Sequence, residues 1–252
     1  MKRPFFICAI VAFLSIATFT SCNDDESYSV GNYTIAWGTV GQNQGGGITV
    51  NRDNGTTLFV QSSRVPASAF VPGERVIVNY MILGDDGNRP PKSYNVQVNS
   101  LQRILTKGLL LQSFIDVYPV FRGDSIGNDP ITVREAWFGG HYLNLHFSAY
   151  FGDTRTHLIT LVRDDVVTPD DTVRLYLHHN ACDDPQRYSA SGYVAFDIAS
   201  IIPAGGSSVP VKLIWSGYDG REHSDKGTFT YPAVVSAGYR SSEETAGALR
   251  VR

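Results

Sequence analysis

Cysteine is scarce where a disulfide would have to form. Of three cysteines in 252 residues, Cys8 lies inside an N-terminal leader and Cys22 ends it, which leaves Cys182 alone. An internal disulfide is thereby excluded from the exported chain, whose core must supply stability unaided. A basic excess is missing as well. Lys and Arg number 21 against 24 Asp and Glu. Loss of Lys2 and Arg3 with the leader moves the formal net charge from -3 to -5. That is not the footprint of a nucleic-acid binder, and no nucleic-acid partner is expected. Only one long apolar run exists, from Phe5 to about Phe19, and it is short for a transmembrane helix. No amphipathic helix of useful length appears. Gly-x-Ser-x-Gly, His-Glu-x-x-His and phosphate-loop motifs are all lacking. The expectation is a non-enzymatic protein with no cofactor, no catalytic residues and no metal site.

What is present begins with that leader. Lys2 and Arg3 precede the apolar run, which closes on Phe19-Thr20-Ser21-Cys22. Small polar residues directly before a cysteine suit a lipoprotein signal peptidase. Residues 1–21 read as the signal peptide, and Cys22 as the lipidated N-terminus that partners the membrane. Asp24, Asp25 and Glu26 make residues 22–30 an acidic tether.

Aromatic and β-branched residues are plentiful, and Gly and Pro punctuate them often, so the composition is all-β. Residues 33–40, 48–50, 57–60, 75–83 and 94–99 read as strands, with 94–99 continuing to about Thr106. Asp53-Asn54-Gly55 is a hairpin turn, because Asn and Gly tolerate positive φ. Val76, Val78, Tyr80 and Ile82 share one face. Five strands with a long first one suit a closed, OB-like barrel over residues 31–118. Gly123, Asp124, Gly127, Asn128, Asp129 and Pro130 cluster, which makes 119–130 the domain junction. Residues 131–232 then carry seven short strands at regular spacing, the pattern of an antiparallel β-sandwich. Residues 233–252 lack periodicity and read as a loose tail.

Two stretches concentrate ligand-type side chains. Residues 124–130 read either as a calcium or ligand loop or as an ordered linker. The linker is preferred, since the spacing does not supply six or more oxygens. His178-His179-Asn180 with Cys182, Asp183 and Asp184 admits a zinc or Cys/His reading. Period two, however, sends His179 inward with Leu175 and Leu177 and sends His178 outward. A hydrogen-bonded strand end and turn is the simpler reading. Leu143, Leu145 and Phe147 form a buried series, which places Asn144, His146 and Ser148 on the polar face. His157 shares its face with Ile159 and Leu161 as an interior histidine, and His223 falls in a polar loop. Trp37, Phe59 and Tyr80 could form an aromatic ligand face on the barrel, which would make the unknown partner a glycan rather than a protein.

These motifs together resemble the NigD-like lipoproteins of Bacteroidetes. The resemblance rests on the Cys22 lipobox with its acids and on Val76-Ile77-Val78-Asn79-Tyr80. It rests also on residues 124–131, Gly140-His141-Tyr142-Leu143-Asn144, residues 157–163, His179-Asn180-Ala181 with Asp184-Pro185, and residues 192–197. It implies an N-terminal OB-like barrel and a C-terminal β-sandwich. A bacteriocin-immunity role was proposed for the founding member, and no catalytic residues are established for the family. The acids after Cys22 resemble the surface-export signal of such lipoproteins, which implies an outer-membrane, surface-exposed location. Asp124-Ser125-Ile126 and Asp171-Thr172-Val173 resemble the O-glycosylation pattern of exported proteins in that phylum, making Ser125 and Thr172 acceptor candidates.

Overall fold

A computed structural model describes residues 33–85, 93–118, 126–152, 155–166, 168, 170–202 and 208–230, and the backbone of 248–249. Cys22 with its leader and tether, Ser125, and most of the 233–252 tail lie outside the described residues.

The first five strands close a barrel in the order β1-β2-β3-β5-β4. They are β1 (Thr34–Gln42), β2 (Ile48–Arg52), β3 (Thr57–Ser63), β4 (Arg75–Asp85) and β5 (Ser93–Arg103). The long first strand pairs with both β2 and β4, and β3 meets β5 in parallel to complete the ring. Alternation fills the interior: Val76, Val78 and Tyr80 of β4 and Val96 and Val98 of β5 are buried together. Each such side chain contributes about 1.5–3 kcal/mol by leaving water. The Asp53-Asn54-Gly55 turn forms as expected, with Gly55 at φ 84.

The seven expected sandwich strands all form: β8 (Thr132–Gly139), β9 (Tyr142–Phe151), β10 (Leu158–Arg163), β11 (Val173–Asn180), β12 (Tyr188–Asp197), β13 (Ser208–Ser216) and β14 (Glu222–Thr230). Three short strands extend them, namely β6 (Leu105–Gly108), β7 (Leu110–Leu111) and β15 (Ala248–Leu249). The two sheets run β14-β13-β11-β10-β7 and β15-β8-β9-β12-β6. Three expectations need correction. The sandwich is not wholly antiparallel, because β11 meets β13, β12 meets β6 and β10 meets β7 in parallel. The chain crosses between domains at Ile104 rather than at 119–130, since Leu105–Leu111 adds edge strands to both sheets. Two residues of the tail, Ala248 and Leu249, pair with β8. A further change is local: β14 begins at Glu222, so His223 sits on a strand, stacked on Trp215.

The barrel lies against the outer face of β8, β9 and β12. Trp37 of β1 meets Trp137 of β8 edge-on at 4.7 Å and Tyr193 of β12 at 5.2 Å. Ile104, Tyr142 and Ala195 are buried there, with Trp37 and Ile77 packed on them. The sheet is therefore covered on both faces. This overturns the polar-face reading of Asn144, which is fully buried.

Arg75 closes the seam. Its side chain is 1 % exposed and pairs with Asp53 through both carboxylate oxygens, the second at 2.8 Å. Its guanidinium also donates to Asn144 Oδ1 at 2.7 Å and lies 4.5 Å from the Tyr142 ring centroid. Burial raises the Tyr142 phenol above its usual range, and the Arg75 charge partly offsets this. Gly139 leaves room for the pair: a Cβ there would sit 2.1 Å from Asp53 Oδ2.

Candidate binding cleft

The aromatic face expected on the barrel does not form. Tyr80 is 1 % exposed inside the barrel, and Trp37 is taken up by the domain contact. Only Phe59 remains, half-buried on the outer wall. Alternation along β4 puts Tyr80 on the opposite side of the wall from Trp37 and Phe59.

The described part of the first ligand-rich stretch, residues 126–130, instead meets the second, with His178 bonded to Gly127 at a separation of 51 residues. Alternation along β11 buries Leu175, Leu177 and His179 and turns Tyr176, His178 and Asn180 toward the other side. The segment Ile126–Pro130 runs beside the end of that strand. His178 Nδ1 donates to the Gly127 carbonyl at 3.0 Å, and Asp129 N donates to the His179 carbonyl at 2.8 Å. Asp129 Oδ2 accepts from Ala181 N at 2.7 Å. This contact requires glycine at 127, where φ is +73 and a Cβ would lie 2.5 Å from Asn180 Cβ.

Beyond β11 the chain turns sharply. Cys182 and Asp183 adopt φ of 54 and 58, the left-handed region that side chains avoid. Asn180 Oδ1 accepts from Cys182 N at 2.7 Å, and the Arg155 guanidinium donates to the carbonyls of Cys182 and Asp183. Such strain is held only where surrounding bonds over-determine it, and it concentrates at functional sites. Below the turn, Asp184 is buried, accepting from Gly152 N at 2.7 Å and facing His157 Nε2 at 3.1 Å. His157 is thus the satisfied interior histidine that its face implied.

The other wall is the short helix α1 (Gln112–Val117). Between the two walls lies an open cleft of about 950 Å3, lined by Gln112, Ile115, Ile126–Asp129, His178, Asn180, Cys182 and Asp183. Its floor is Ile115 and Ile126, and its rim presents carboxylates, carboxamides and one imidazole. Burial holds His178 below the usual imidazole range, with the Gly127 carbonyl opposing. The ring is therefore neutral near pH 7, and Nδ1–H leaves Nε2 as an acceptor. No Lys or Arg is among the described lining residues. Phe114, Val117 and Tyr118 of the helix region stand exposed next to it. The chemistry offered is that of acceptors beside an apolar shelf, which suits a polar or basic segment with an adjoining apolar side chain.

Thr172, the described acceptor candidate, lies apart in the β10–β11 turn. The hydroxyl of Thr168, and then that of Thr172, hold the exposed Asp170 carboxyl down at about 2. Sequence reasoning missed Arg75, Asp53 and Asn144. Arg75 alternates with the inward Val76, so it reads as a solvent-facing residue until the sandwich covers it.

The fold agrees with that of known relatives. Residues 37–104 match the NigD-like N-terminal OB domain, and residues 113–231 match the NigD-like C-terminal β-sandwich domain. Among solved structures, one from Parabacteroides distasonis is described as toxin-related. It is 26% identical, with a TM-score of 0.64, over 79% of this chain and 94% of that one. A protein of unknown function from Bacteroides vulgatus is 24% identical at a TM-score of 0.63, over 83% and 96%. A NigD-like immunity protein from Bacteroides caccae is 22% identical at 0.56, over 78% and 92%. No curated protein matches. With both family domains matched in order along most of its length, the chain belongs to the NigD-like family.

Proposed function

We propose that this chain is a lipid-anchored, surface-exposed protein of the outer membrane that binds a macromolecular partner, without catalysis, in the cleft of its sandwich. The observation that carries the reading is the convergence of residues 126–129 and 178–183 on one strained, acceptor-rich cleft. A binding reading is favoured over an enzymatic one by how the nearby histidines are used. Both ring nitrogens of His157 and of His179 are committed to internal contacts rather than aimed at the cleft. Cys182 Sγ lies 3.9 Å from the carbonyl of its own neighbour Asn180. The anchor reading rests on Cys22 and the acids that follow it.

Immunity to a bacteriocin is the special form favoured by family membership and by the immunity protein of similar fold. A protein partner is preferred to a glycan, since Tyr80 lies in the barrel core and Trp37 in the domain contact, which leaves no aromatic face for a glycan. One complementation experiment tests anchor and role together. A deletion strain carrying the wild-type gene should label the protein with palmitate and resist toxin from neighbouring strains. With Cys22→Ala, both label and resistance should be lost. Retained label would remove the anchor at Cys22, and a deletion strain as resistant as its parent would remove immunity.

A further inference from the structure

Three buried side chains tie the walls of the turn together in one chain of hydrogen bonds. Asp184 faces His157 Nε2 at 3.1 Å, His157 Nδ1 faces His179 Nε2 at 2.9 Å, and His179 Nδ1 reaches the Pro130 carbonyl at 3.1 Å. Side-chain exposure is 5 % at His157 and zero at Asp184. A carbonyl only accepts, so His179 Nδ1 carries a proton. With Asp184 ionised and both rings neutral, only two N–H groups serve three contacts. One contact would then set lone pair against lone pair, or acceptor against carboxylate, in a site closed to water.

We infer that Asp184, His157 and His179 hold one shared proton at neutral pH, and that gain or loss of a proton there loosens the wall of the cleft. The functional consequence rests on the cleft being the binding site; the proton count rests on the geometry alone. Burial holds the His179 ring below the usual imidazole range, with the Pro130 carbonyl opposing and His157 adding to the depression. Titratable and charged groups lie on the segments around this relay, and of them Asp129 acts on His179 directly. Asp129 stands on the 126–130 segment, Asp183 and the Arg155 guanidinium at the turn, and His178 on the far side of β11. From β9, the Phe151 ring stacks on His157 at 4.2 Å.

The wall responds because its bonds share these residues. Asp184 holds Gly152 N, His179 O holds Asp129 N, and Asp129 in turn holds Ala181 N. Raising the pH removes the shared proton and one relay bond with it. Lowering the pH works from the other side. His179 is held neutral by burial, so stability falls as pH drops through the ordinary imidazole value toward its depressed one. A second proton would set two N–H donors against each other between His157 and His179.

Ring-nitrogen spectra of the full-length chain in detergent, labelled with 15N-histidine, test the count. His157→Gln and His179→Gln serve only for assignment. The expected result at pH 7 is one proton more than two neutral rings and an ionised Asp184 would carry: three N–H groups on the two rings, or two with an Asp184 carboxyl shown protonated by 13C-aspartate labelling. Either neutral tautomer of His157 beside a neutral His179 and an ionised Asp184 overturns the inference. Amide exchange in the wild-type chain is the second measurement. On raising the pH past loss of that proton, Gly152, Asp129 and Ala181 should exchange about tenfold faster than base catalysis alone requires, as expected for one lost charge-assisted bond. A purely base-catalysed rise at all three overturns the gating. Neither readout involves a partner, so a partner that docks elsewhere leaves both unchanged and defeats only the reading of the cleft.

Discussion

Arg75→Met should cost about 3–5 kcal/mol, the range seen when one member of a buried ion pair is removed. The methionine fills much of the space yet leaves Asp53, whose side chain is 14 % exposed, as a charge facing a covered seam. Asn144, fully buried, loses the donor on its Oδ1 at the same time. Removal of the charge also ends the contacts with the Tyr142 and Trp37 rings. Arg75→Lys keeps the charge but not the planar fork that meets both oxygens of Asp53, so it should recover only part of the loss. Urea unfolding checks both variants. Because Arg75 and Asp53 belong to the barrel and Asn144 to the sandwich, the Met variant should also unfold in two steps. An unchanged midpoint and a single transition would show that the seam holds without this cluster.

The second large effect is expected at Gly127→Ala. Its φ of +73 alone strains any side chain by about 1–2 kcal/mol. The new Cβ would also lie 2.5 Å from Asn180 Cβ and 2.7 Å from both Asn180 Cα and the His179 carbonyl. These atoms cannot swing aside like the end of a flexible side chain. The segment must lift off β11, and the His178–Gly127 bond goes with it. The sum is about 2–4 kcal/mol from strain and lost hydrogen bonds. Denaturation midpoints and the protection of Asp129 and Ala181 amides measure it. Gly46→Ala is the control: it has φ +78 but no atom within 4 Å of its Cβ, so it should show backbone strain without collision.

Much of this architecture is legible in the chain because its signals are local. Val76, Val78 and Tyr80 alternate with period two, Asp53-Asn54-Gly55 carries its own turn chemistry, and β11 declares His179 inward by its parity with Leu175 and Leu177. What is not legible depends on a second layer. Arg75 and Asn144 occupy the solvent side of their strands by every local rule, and only the docking of barrel on sandwich buries them. Tyr80 reads as aromatic in either direction, and the strand's parity, once tied to Val76 and Val78, puts it in the core. Leu105–Leu111 looks like a barrel strand that continues, since nothing in seven residues says which sheet edge they will join. The cleft is a similar case. Residues 124–130 and 178–184 each look like a turn with spare polar groups, and the meeting of 126–130 with the second is a consequence of topology.

The most direct test of the central claim, that the sandwich cleft is the working face, is site-specific photocrosslinking in intact cells. A photoreactive residue replaces Asn128 at the cleft rim or, as comparison, Ser62 on the exposed end of β3. A discrete adduct from position 128 and none from position 62 is the result expected. Adducts from 62 alone, or the same adducts from both, would place the partner elsewhere and contradict the account.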